Sequence, residues 1–100
     1  MQRKFYSWLK NNERLLNQQG ITTDNIIVVE ESSNSCVTVD QSTYKCLGKI
    51  IVWQGGTINT TIYDLGTDIT EDGYVDLTDS SDVDFAVVLS DYFLKLNGGL

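Results

Sequence analysis

At 100 residues, 41% of them apolar, the chain can bury the core of one domain, is too short for two, and is too apolar for intrinsic disorder. A formal net charge of −7 disfavours nucleic acid and anionic lipid as partners and attracts cationic ones. The lack of histidine removes the commonest general base and the commonest transition-metal ligand.

In chain order, residues 2–19 predict a helix. Phe5, Trp8, Leu9, Leu15 and Leu16 recur at helical spacing, opposite Arg3, Lys4, Lys10, Asn11 and Arg14. Gly20 is placed to end it in the left-handed conformation. The β-branched run Ile26-Ile27-Val28-Val29 then predicts a strand over residues 25–31. Ser32-Ser33-Asn34-Ser35 is turn chemistry, and residues 36–39 alternate as a second strand. Asp40-Gln41-Ser42-Thr43 reads as another turn before the longest strand, residues 44–54, in which Gly48 suggests a bulge. Gly55-Gly56 is a hairpin signal, and residues 57–65 run back as a fourth strand. A fifth, short strand is placed at residues 74–77, and a final helix at residues 81–97. Ser80 or Ser81 would cap that helix, and Phe85, Val88, Leu89, Tyr92 and Leu96 would form its apolar stripe. The expected architecture is one α+β domain over residues 1–100. It has an N-terminal helix, a four- to five-stranded antiparallel meander and a C-terminal helix, with both helices on one sheet face. Trp8, Trp53, Ile58, Ile62, Phe85, Leu89 and Leu96 are the expected core.

Charge is divided along the chain. Residues 1–20 hold Arg3, Lys4, Lys10 and Arg14 against Glu13, a balance of +3. Residues 64–100 hold Asp64, Asp68, Glu71, Asp72, Asp76, Asp79, Asp82, Asp84 and Asp91 against Lys95, a balance of −8. This pattern points to association rather than catalysis, and an enzyme is not expected. Lys45 and Lys49 have no neighbouring serine motif, and Gly55-Gly56 lacks the pattern of a phosphate-binding loop. Cys36 and Cys46 could face each other across a hairpin, but buried free thiols are the simpler expectation. No apolar run approaches the roughly 20 residues that span a bilayer, and no signal-peptide core follows the N-terminal basic residues. The expected location is the cytoplasm, with no membrane partner and no cofactor.

One alternative is a calcium-dependent binding module. Asp68, Thr70, Asp72, Gly73, Asp76 and Asp79 match positions 1, 3, 5, 6, 9 and 12 of an EF-hand or dockerin loop, with Val75 at position 8. Against it stand Asp rather than Glu at position 12, Thr at position 3, and a strand where the incoming helix should be. The plain alternative is an acidic loop turning at Asp72-Gly73.

The layout as a whole resembles a known family. Trp8-Leu9 and Leu15-Leu16 lie on a short helix, and Ile50-Ile51-Val52-Trp53 precede a glycine turn. Ile62-Tyr63-Asp64, an acidic segment and a helix follow. This is similar to the TriTu family of acidic immunity proteins, linked to contact-dependent growth inhibition in bacteria. The resemblance implies a monomer that forms a heterodimer with one cognate toxin domain, which is basic and commonly a nuclease such as an RNase. The expected contact residues are Asp64, Asp68, Glu71, Asp72, Asp76 and Asp79, with Tyr74 as an aromatic anchor.

Overall fold

The computed structural model describes residues 1–31, 33–77 and 82–100. Helix α1 (Gln2–Gln18) leads into strands β1 (Thr22–Val29), β2 (Cys36–Ser42), β3 (Cys46–Trp53), β4 (Thr57–Asp64) and β5 (Thr70–Asp76). Helices α2 (Phe85–Val88) and α3 (Ser90–Gly98) complete the chain. The five strands pair in sequence order, every neighbour antiparallel, so the meander has its fifth strand.

Helix α1 ends as its glycine demands. Gly20 takes φ 88°, its N–H bonds Asn17 O at 3.0 Å, and the Ile21 N–H reaches Leu16 O at 2.9 Å. This is the Schellman closure, which satisfies carbonyls that the helix leaves unpaired. It also turns Ile21 into the core beside Leu16. Phe5, Leu9 and Leu16 are buried, whereas Leu15 is half exposed.

Strand alternation sorts the sheet into two unlike faces. Val37 and Val39, Cys46, Ile50 and Val52, and Ile58 and Ile62 form one buried face. Both helical ends of the chain cover it, through Phe5, Leu9 and Leu16 from one and Phe85, Leu89, Tyr92 and Leu96 from the other. The helices meet over the sheet through rings. Phe5 stands edge-on to Phe85 with centroids 5.3 Å apart, and Trp8 lies 5.9 Å from Phe85 and 6.1 Å from Phe93.

A polar chain crosses this core. The buried Tyr92 hydroxyl donates to Gln41 Oε1 at 3.1 Å, and Gln41 Nε2 donates to Thr23 Oγ1 at 3.2 Å. It joins α3 to β2 and β1, and burial pushes the Tyr92 phenol well above its ordinary pKa, with Asp40 adding to the shift. Here the expected turn over residues 40–43 fails. Asp40, Gln41 and Ser42 continue β2, because Gln41 finds partners inside, and the chain turns instead at Thr43, Tyr44 and Lys45. Thr43 fixes that turn by donating to Leu96 O at 2.6 Å and accepting from Cys46 N at 3.1 Å.

Gly48 makes no bulge, since its pairing with Gln41 and Ile62 is in step with its neighbours. The irregularity lies in β1, between Thr23 and Asn25. Gly48 is needed for clearance: a Cβ there would land on the Tyr92 hydroxyl and 2.7 Å from Leu96 Cδ1. Gly48→Ala should therefore cost about 1–3 kcal/mol, the usual range for overpacking, read as a lower urea midpoint. An unchanged midpoint would mean that α3 does not bear on this strand.

The last helix begins later than residue 81. Asp84 caps it, its carboxylate accepting from Ala86 N at 3.0 Å, and the helix breaks at Leu89 into α2 and α3. Ser80 and Ser81 lie outside the described residues. The cysteines are free and buried. Cys36 lies opposite Trp53 and Cys46 opposite Asp64, so they do not face each other across a hairpin.

Candidate protein-binding surface

The second sheet face is open. Its rows follow from the register: Asp40, Lys49, Thr61 and Asp72 in one, and Thr38, Ile51, Asn59 and Tyr74 in the next. Ile27 extends the second row on β1, and Leu47 and Tyr63 lie side by side on the same face. Ile27 and Leu47 are about half exposed, and Tyr74 is 65% exposed. Trp53 also belongs here, so it is a partly exposed residue of the open face and not a core residue. Its indole N–H donates to Asn59 Oδ1 at 3.0 Å.

The acids expected at the contact surface separate by strand parity. Asp72, Tyr74 and Asp76 alternate onto the open face, where the Thr61 hydroxyl donates to Asp72 Oδ1 at 3.0 Å. Glu71 lies opposite Ile62, on the helix-covered side, and pairs with Lys95. Lys95 also reaches Asp91 at 3.1 Å, and the bonds it donates to these two acids, that to Glu71 first, hold its pKa above the ordinary value. Asp68 sits in the β4–β5 loop at φ 63°, a left-handed conformation that aspartate tolerates better than most residues. It accepts from the Tyr63 hydroxyl, and this bond raises the Tyr63 phenol pKa.

Asp64 has a different task. It is 6% exposed, and its Oδ1 accepts from Gly66 N at 2.8 Å and Thr67 N at 3.0 Å. Its Oδ2 accepts from Leu100 N at 2.7 Å. These bonds, led by that from Leu100, keep its carboxyl below the usual range. Asp64 thus ties the β4–β5 turn to the last residues and turns its charge inward. Asp79 lies outside the described residues.

The calcium-loop geometry is not formed. Thr70–Asp76 is a strand, not a loop, so a rise of about 3.4 Å per residue separates Asp72 from Asp76 by roughly 13 Å along it. Calcium ligands must instead converge to about 2.3–2.6 Å from one ion. Among the described residues, no cluster of three or more acids or cysteines could hold a metal. Millimolar calcium should shift the melting temperature by less than about 1 °C, since a ligand stabilises only by binding the folded state. A saturable rise abolished by Asp72→Ala would contradict this arrangement.

Sequence reasoning missed Trp53, Asn59, Ile51 and Leu47 as surface residues. The signal was the odd-numbered parity of β3 and β4, legible once Gly48, Ile50 and Val52, and Ile58 and Ile62, are assigned inward.

One face of the sheet is covered by helices, and the other presents aromatic and acidic residues. The model of the immunity protein TriTu family matches residues 3–94, nearly the whole length, and the chain belongs to that family. No curated protein and no solved structure matches it. Membership implies a cognate toxin as partner.

Proposed function

We propose that the chain neutralises a basic nuclease toxin, an RNase, by one-to-one occlusion. It would act in the cytoplasm of the cell that makes it, within a contact-dependent growth inhibition system, and without catalysis. The observation that carries this reading is the concentration of acid at the β4–β5 end of the sheet in a chain of an immunity family. A nuclease must hold phosphate on a basic surface. Carboxylates placed on that surface satisfy the same arginines and lysines that would otherwise hold RNA. Asp68, Asp72, Tyr74 and Asp76 are the surface we assign. Asp64 and Glu71 stand apart from it: Asp64 is buried and bonded by the turn, and Glu71, on the helix-covered side, pairs with Lys95.

Co-expression tests the reading. The chain should protect a cell from the toxin encoded beside its gene and from no unrelated toxin. Protection against several unrelated toxins, or against none, would overturn it.

A further inference from the structure

Along β5, Asp72, Tyr74 and Asp76 share one face. The strand rise puts each carboxylate-bearing residue about 7 Å from the tyrosine between them. Across the strand pair, Tyr74 lies opposite Asn59, whose side chain holds the Trp53 indole N–H. An exposed ring with an acid on either side suits one kind of group. A planar guanidinium stacks on a phenol ring and also forks onto a carboxylate, which the more compact lysine ammonium does less well.

We infer that Tyr74, flanked by Asp72 and Asp76 on the open sheet face, is the docking point for arginine side chains of the toxin's phosphate-binding surface. The inference rests on the neutralisation reading above and adds where and how the partner is held. Charge argues for this occupant over a second copy of the chain. Asp40, Asp72 and Asp76 on this face, with Asp68 at its rim, outnumber Lys49, which already stands 3.8 Å from Asp40. Two such faces brought together would repel each other. Among the other acids near this end of the sheet, Asp64 is turned inward and Glu71 is bound to Lys95. Tyr74 and the two acids beside it lie instead on the open face.

The test is calorimetric titration of the purified, catalytically inactivated toxin domain encoded beside the chain's gene. Tyr74→Ala should raise Kd about 30-fold or more, the size of an interface hot spot. Tyr74→Phe, which keeps the ring, and Leu94→Ala, on a 75% exposed residue of α3, should each stay within about 3-fold. The variants should melt with the parent. If Tyr74→Ala does not fold, Asp72→Asn carries the test by removing one charge without changing shape, with a loss of about 5-fold expected. Binding by the parent that is indifferent to Tyr74 and Asp72 would overturn this inference and leave neutralisation standing. No binding by the parent would overturn both. Sedimentation of the chain alone as a dimer that Tyr74→Ala dissolves would assign the face to a second copy and overturn the arginine site.

Discussion

Leu89→Ala is expected to lower the unfolding free energy by about 2–5 kcal/mol, the range for truncating a buried leucine that leaves a cavity. Leu89 is 1% exposed and sits where α2 gives way to α3, at φ −99° and ψ 11°. Its side chain packs in the cluster that holds Phe85 and Tyr92 against the sheet. Loss of its methyl groups therefore loosens both short helices together. Neither α2 nor α3 is long enough to persist without tertiary packing. For a domain of this size, the loss corresponds to a melting temperature lower by at least roughly 8 °C. Leu94→Ala, exposed about one and a half turns beyond the break, should stay within about 0.5 kcal/mol. Equal effects from the two substitutions would mean that the break at Leu89 does not anchor the C-terminal helices.

Reversal of Asp72 and Asp76 together to lysine is expected to weaken the toxin complex by about two orders of magnitude. Like charges facing each other across an interface cost several kcal/mol, and each 1.4 kcal/mol is tenfold in affinity. Glu13→Lys, on α1 and already within 3.2 Å of Lys10, should change affinity little. The parent complex should also associate more slowly as salt rises, because steering by opposite charge is screened over about 10 Å at 0.1 M. Both reversals should leave the fold intact, since exposed substitutions usually shift stability by under about 0.5 kcal/mol. If the complex tolerates the Asp72 and Asp76 reversal but fails when Arg3, Lys4 or Lys10 is reversed, α1 is the interface.

The order of elements was legible because each carried a periodic signal with its own punctuation. Gly20 closes α1, and Gly56, at φ 101°, closes the β3–β4 hairpin with its N–H on Trp53 O at 3.0 Å. Strand β5 was only half legible. Thr70-Glu71-Asp72-Gly73 has the composition of a turn, and pairing with Thr60 to Tyr63 of β4 overrides that local preference. The same happened at Gln41, where a buried hydrogen bond to Tyr92 holds a polar residue in a strand. The acidic surface was legible as composition but not as geometry. Strand parity sends Asp72 and Asp76 outward and Glu71 to Lys95, while backbone amides of Gly66, Thr67 and Leu100 claim Asp64. Trp53 went to the wrong face because hydrophobicity alone does not fix which side of a strand a residue occupies.

On the proposed RNase reading, stoichiometric neutralisation is tested most directly by titrating the toxin's RNA-cleaving activity with the purified chain at concentrations well above Kd. The expected result is a linear fall that reaches zero at one chain per toxin and does not deepen with time. Inhibition that grows with incubation at substoichiometric chain would mean turnover, and RNA cleavage undiminished at excess chain would mean that this toxin is not neutralised by occlusion.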